Sequence, residues 1–339
     1  MEKYVHSEEG DSPLIIAMPH SAKLTEDIRN DLPDFVKDVV KLDDSEVLNV
    51  INGGVDVSVP EITNFHNQSD HTRIWTDMPR CIIDTNRTLG QVDGLSVEGR
   101  GRPEHANGLI WRTVPPVTDS MMGVLRNSAF PAESKSMLRR PYTNKEFQEL
   151  LDLAYHPFIK AIRDAAEKAV NQYGHAIIVA PHSFPAYVGT KVLRGEQKGA
   201  YIVGPPAQKS TRKASSTREF LSDMLLRKKL PDLIKITHPE ICSPVISKIV
   251  DEEFEKKGNI SSDGYWPFEV MPGDAEFEQG DITKNIHFIA LEQVAHDGLE
   301  PNRHLGGLEV NMKVAETFRP IYENIFNRLA ALKTEDIRM

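Results

Sequence analysis

The chain has 339 residues, of which 40% are hydrophobic, 27% charged and 7% aromatic. That is the balance of a globular protein able to bury a core, and it excludes disordered and collagen-like chains. The formal net charge of -10, from 40 basic and 50 acidic residues, has the wrong sign for binding a phosphate backbone without a concentrated basic patch, so nucleic acid is not an expected partner.

The N-terminus, MEKYVHSEEGD over Met1–Asp11, carries acids and no apolar stretch of signal-peptide length, which points to the cytoplasm. Apolar runs such as Leu14–Met18 and Ala176–Pro181 are far shorter than the roughly 18 to 20 residues that a spanning helix needs. Pro13–Pro19, PLIIAMP, reads as a buried strand leading straight into His20 and Ser21. Arg80–Arg87, RCIIDTNR, reads as a second strand, with Cys81, Ile82 and Ile83 running into Asp84, Asn86 and Arg87. The cysteines, Cys81 and Cys242, lack the spacing of a zinc knuckle or a disulfide framework and read as buried thiols.

Asn144–Gln172 spaces Phe147, Leu150, Leu151, Ala154, Phe158, Ile162 and Ala165 near a 3.6-residue period, predicting a long amphipathic helix kinked at Pro157 and stopped at Gly174. Gly174–Phe184, GHAIIVAPHSF, predicts another buried strand, ending in His182 and Ser183. A basic excursion follows over residues 184–229, with ten Lys and Arg against three acids. Val245–Phe254 predicts a helix capped by Ser243 with Pro244 at its first position. Residues 251–281 reverse the charge, with ten acids and two lysines. Asn285–Glu292, NIHFIALE, predicts a strand ending on Glu292, and Leu308–Leu332 a final helix. Buried strands alternating with helices predict a single α/β domain over residues 1–339, its central sheet mainly parallel or mixed and flanked by helices, with ligands beyond the carboxyl ends of the strands.

Either histidine alone is weak, because a lone histidine beside a core is usually structural. Two strand-end histidines, an asparagine and arginine, and a glutamate on one sheet edge together resemble a hydrolytic zinc site. Catalytic zinc takes three protein ligands and a water whose pKa falls to about 7. His20 and His182 supply two ligands. Glu292 suits a general acid/base, and Asn86 and Arg87 suit a grip on a substrate carboxylate.

At these residues the chain resembles the N-formylglutamate amidohydrolase family, zinc enzymes with a zinc-carboxypeptidase/phosphorylase-hydrolase-like fold. The resemblance rests on PLIIAMPHS (13–21), IIDTNR (82–87), GLIWR (108–112), YHPFI (155–159), GHAIIVAPHSFP (174–185), WPF (266–268) and HFIALE (287–292). It implies a Zn2+ cofactor held by His20 and His182, Asn86 and Arg87 on the carboxylate of a small-molecule substrate, and Glu292 as general acid/base. The third ligand matches best at Asp56, with Glu26 and Glu61 as alternatives, since Lys23 stands where a carboxypeptidase His-x-x-Glu motif would place its glutamate. Arg112 matches a substrate-proximal position or a structural ion pair.

Where the family carries a glycine-rich, arginine-containing stretch, this chain has PGDAEFEQGDITK over Pro272–Lys284. That difference leaves room for a short peptide or modified amino acid as substrate. A metal-free binding protein using the basic excursion is the non-enzymatic alternative. His66 and His71, around Asp70, read as a second metal site or as an exposed polar loop, and the polar run favours the loop. No G-x-S-x-G elbow accompanies Ser21 or Ser183, which argues against a serine hydrolase.

Overall fold

The computed structural model describes residues 3–53, 56, 59–87, 89–92, 94–99, 108–114, 135–184, 233–237, 242–256, 260–261, 285–294, 299–301, 308–310 and 312–337. The strands in chain order are β1 (Val5–Glu8), β2 (Leu14–Met18), β3 (Thr72–Thr76), β4 (Thr113–Val114), β5 (Lys135–Ser136), β6 (Ala176–Phe184), β7 (Leu233–Thr237), β8 (Ile260–Ser261), β9 (Ile286–Val294), β10 (Leu299–Pro301) and β11 (Leu308–Val310). Seven of them form one mixed sheet in the order β1-β3-β2-β6-β9-β7-β8, while β4 pairs β5 and β10 pairs β11. The centre of the sheet, β3-β2-β6-β9, is parallel, and antiparallel neighbours join at β1 and β7. The mixed α/β fold expected from the sequence is therefore present.

Both faces of the parallel centre are covered, which explains why its strands are continuous apolar runs. Ile15, Ala17, Ile74, Ile178, Ala180 and Phe288 lie in one core cluster, whereas Leu14, Ile16, Met18, Ile177, Val179, Ile289 and Leu291 lie in the other. The helices α1 (Glu26–Asp31), α2 (Asp34–Val39), α3 (Ser45–Gly53) and α4 (Val59–Ile62) fill the crossover from β2 to β3. Helices α5 (Asn144–Leu150) and α6 (His156–Tyr173) bring Phe147, Leu150, Phe158 and Ile162 to the first cluster. Helices α7 (Pro244–Glu255) and α8 (Met312–Ala330) bring Ile246, Val250, Tyr322 and Phe326 to the second. A short α9 (Thr334–Ile337) ends the described chain.

Three boundaries differ from the sequence reading. Arg80–Arg87 is not a strand: β3 ends at Thr76 and residues 79–87 turn repeatedly, with Ile82 N–H donating to Pro79 O and Arg87 N–H to Asp84 O. The apolar trio is buried, but it packs from a turn, because a short apolar run does not distinguish a strand from any other buried segment. The predicted helix from Asn144 is continuous but passes through a π-helical turn at Leu151–Tyr155 directly before Pro157. Proline supplies no N–H to the preceding turn, and the wider turn accommodates that loss. Leu308–Val310 is a strand, and the last helix starts at Met312. Gly174 ends α6 at φ 83, and a Cβ there would lie 2.6 Å from Thr334 Oγ1, so the stop requires glycine. Ser243 accepts from Val245 N–H and caps α7 as expected. The basic excursion beyond Phe184, the WPF block, most of the acidic run and Pro272–Lys284 lie outside the described residues.

His175, just before β6, and His287, near the start of β9, are 2% and 3% exposed. Burial, and then the neighbouring His175, push the His287 imidazole down to about 4, and burial also lowers His175. Both are neutral when folded, so below pH 6.5 the unfolded chain takes up protons that the folded chain refuses. Their stabilising contribution is complete above pH 6.5 and is lost as pH falls toward 4. Thermal melts between pH 7 and 4 should fall steeply, and His287→Leu should flatten the fall by on the order of 2 kcal/mol.

Candidate active site

The site lies at the carboxyl ends of the parallel strands, where an open α/β sheet presents its loops. His20 follows β2 by two residues, and His182 stands near the end of β6. Asp56 lies between α3 and α4, and its N–H donates to the His20 carbonyl at 2.8 Å, tying that crossover to the end of β2. Asp56 Oδ2 is 3.1 Å from His182 Nδ1 and 3.5 Å from His20 Nδ1. Ser183 Oγ donates to Asp56 Oδ1 at 3.3 Å.

All three residues are buried, and their potential ligand atoms lie within 4.8 Å of one another. Tetrahedral zinc with bonds of 2.0–2.1 Å would set its ligands about 3.3 Å apart, which the two shorter separations match. His20 Nδ1 is buried and makes no hydrogen bond, although it faces a carboxylate oxygen. An unpartnered lone pair opposite an anionic oxygen is an arrangement that a cation completes. The donor set, two imidazoles and one carboxylate, therefore fits Zn2+.

Charge in the site is fixed by its partners. Burial would raise the Asp56 carboxyl, but the His182 hydrogen bond and the nearby His20 imidazole outweigh burial and hold it below the usual carboxylate range. Burial and the positive charge of Arg80 lower His20, keeping it neutral at pH 7 and competent as a ligand. Asp84 is fully buried, and burial would raise its carboxyl, yet Arg80, His20 and Arg87 together hold it well below the usual range. Asp84 Oδ1 lies 2.6 Å from His20 Nε2 and accepts from Asn86 N–H at 3.0 Å, and Oδ2 accepts from Arg80 Nη2 at 2.9 Å. Arg80 in turn sits over the Trp111 ring, 5.2 Å from its centre.

The residues singled out from sequence fare differently. His20, Asp56 and His182 converge. Asn86 joins them, its Nδ2 3.5 Å from His182 Nε2, and half-buried Arg87 stands beside it with Nε 3.9 Å from Asp84 Oδ2. In β9, Glu292 occupies the register position paired with His182. Half-buried Arg112 follows Trp111 in the GLIWR block, which meets the IIDTNR block where Asp84 N–H donates to Leu109 O. Among the alternatives for the third ligand, Glu26 is exposed at the start of α1 and Glu61 pairs with Arg319 at 3.8 Å. His66 is exposed, as a polar loop predicts, but His71 is buried with Nδ1 2.9 Å from Ser12 Oγ, and the two belong to no metal-ligand cluster among the described residues. Sequence reasoning gave Arg80 and Asp84 no role. Their signal was an arginine and an acid bracketing a buried apolar trio, where neither can stay without a partner.

A three-layer α/β fold with a buried His-Asp-His cluster at the carboxyl edge of its sheet defines a hydrolase scaffold with a candidate metal centre. The sequence profile of the family described as N-formylglutamate amidohydrolase matches residues 12–231, more than half of the chain, and the chain belongs to that family. The matched range contains His20, Asp56, Asn86, Arg87, Arg112 and His182 and stops before Glu292. The crystal structure of N-formylglutamate amidohydrolase from Ralstonia eutropha JMP134 is similar with a TM-score of 0.65 and 18% identity, covering 99% of this chain and 98% of that one. A gene product of Agrobacterium tumefaciens is similar with a TM-score of 0.51 and 10% identity, covering 96% of each chain. Likeness at these identities concerns the fold. No curated protein matches the sequence. No helix among the described residues is long and apolar enough to cross a membrane.

Proposed function

We propose that the chain is a zinc-dependent amidohydrolase that cleaves an amide bond in a small carboxylate-bearing substrate of the N-formylglutamate type. The observation that carries this reading is the buried His20-Asp56-His182 cluster with its unpartnered imidazole nitrogen. The three side chains would hold Zn2+, which when bound polarises the scissile carbonyl and makes water a competent nucleophile at neutral pH. Arg87, with Asn86 beside it, binds the substrate carboxylate and orients the amide toward the cluster, converting binding energy into alignment. Arg112 lines the substrate side of the site. Glu292, at the strand position paired with His182, takes the proton from the attacking water and returns it to the leaving nitrogen. The reading further places the enzyme in one domain over residues 1–339, with a basic insertion at about 184–229, and in the cytoplasm, consistent with Cys81 and Cys242 forming no disulfide.

The test is turnover of N-formylglutamate against a panel of N-acyl amino acids and short peptides, after zinc loading and after chelation. Chelator-sensitive release of formate or another acyl group supports the proposal. A protein that takes up no zinc and hydrolyses none of the panel overturns it. Within this reading, Arg87→Met should raise KM roughly 10- to 100-fold, the equivalent of about 1.5–3 kcal/mol for charged hydrogen bonds, while zinc content stays unchanged. Steady-state kinetics on the zinc-loaded variant checks this.

A further inference from the structure

Three N–H donors and one imidazole nitrogen converge on one buried carboxylate. Asp84 Oδ1 lies 2.6 Å from His20 Nε2 and accepts from the Asn86 N–H, and Oδ2 accepts from Arg80 Nη2 with Arg87 Nε at 3.9 Å. The side chain of Asp84 is inaccessible, and that of Arg80 is packed against Trp111. A guanidinium has donors only and does not deprotonate in a protein. Oδ2 therefore accepts, and a buried carboxyl faced by two permanent cations, Arg80 at 2.9 Å and Arg87 at 3.9 Å, stays an anion whose Oδ1 accepts as well. The proton in the His20–Asp84 contact then belongs to His20 Nε2. A neutral imidazole protonated at Nε2 has its free lone pair on Nδ1, the atom that is buried without a hydrogen bond 3.5 Å from Asp56 Oδ2.

We propose that the buried Arg80–Asp84 pair sets the tautomer of His20, holding its proton on Nε2 so that the Nδ1 lone pair faces Asp56 and His182. The inference rests on the metal-site reading above and adds to it two positioning residues, neither of which touches the metal or the substrate. Its physical content is polarity. With one oxygen committed to Arg80, an amide at position 84 must direct its NH2 group at His20, which makes Nε2 an acceptor and moves the imidazole proton to Nδ1. Removing Arg80 as well frees the amide to turn its oxygen back toward His20 and the Asn86 N–H. Asp84→Asn should therefore be harmful because Arg80 is present, an interaction that generic loss of packing does not produce.

The experiment has two arms. In the zinc-free parent, 15N-edited imidazole spectra should show His20 as the Nε2-protonated tautomer, and Asp84→Asn should shift it toward Nδ1–H. By chelator competition, Asp84→Asn should weaken zinc binding about 10- to 100-fold, the range for loss of a partner that orients a metal ligand. In the Arg80→Met background the same substitution should cost less than about threefold, the non-additivity expected of residues acting as a unit. An Nδ1–H tautomer in the parent overturns the proposal, as does an equal cost in both backgrounds. A parent that takes up no zinc overturns the metal reading instead, and the tautomer in the zinc-free protein still decides this one, even where a variant fails to fold.

Discussion

Replacing His20 or His182 by alanine should reduce zinc from about one per chain, the stoichiometry of a single catalytic site, to near zero and lower kcat/KM by roughly 10³-fold or more. The magnitude follows from the several kcal/mol that a bound metal contributes to stabilising charge in the transition state, each 1.36 kcal/mol being a factor of ten. In the proposed ligand set each histidine is one of three, and the two lie 3.1 and 3.5 Å from Asp56. Elemental mass spectrometry of parent and variants, beside their kinetics, makes the measurement. Because both positions are buried in the folded protein, circular dichroism should accompany it, so that loss of metal is read on folded chains. Full zinc and activity in either variant would remove that residue from the ligand set.

Glu292→Gln should lower kcat about 10²- to 10⁴-fold, the range for loss of a positioned general base, while leaving zinc content and KM close to those of the parent. Glutamine keeps the size of the side chain and a hydrogen-bonding carbonyl but cannot take a proton at neutral pH. The split between kcat and metal content separates a proton carrier from a ligand, since a ligand substitution would lose both together. The pH profile gives a second reading, because the acidic limb of kcat should disappear with the carboxylate. The proposal for Glu292 draws on the parallel register that pairs it with His182.

Much of this protein was legible in its residues because the signals were local. PLIIAMPHS and GHAIIVAPHSF are apolar runs that terminate in a histidine, and a strand buried on both faces has no other way to read. Gly174, Ser243 and Pro244 marked helix ends through backbone preferences that act within a few residues. The segment from Arg80 to Arg87 went wrong as a strand for the same reason, since burial of three consecutive apolar side chains says nothing about the backbone that carries them.

The sequence by itself determined the class of scaffold, the buried strands that carry His20, His182 and Glu292 at or near their ends, and the residue types offered to the site. Only the tertiary structure decided which acid joins the histidines. Asp56, Glu26 and Glu61 are equivalent as letters, and the crossover between β2 and β3 carries all three. Folding buries Asp56 against both imidazoles, leaves Glu26 in solvent and gives Glu61 to Arg319. Arg80 and Asp84 showed in the chain only as charges bracketing an apolar trio, because what a buried charge does is defined by the partners that compensate it. The distant partners come from positions 20 and 111, and contacts across such distances in sequence exist only once the sheet has closed.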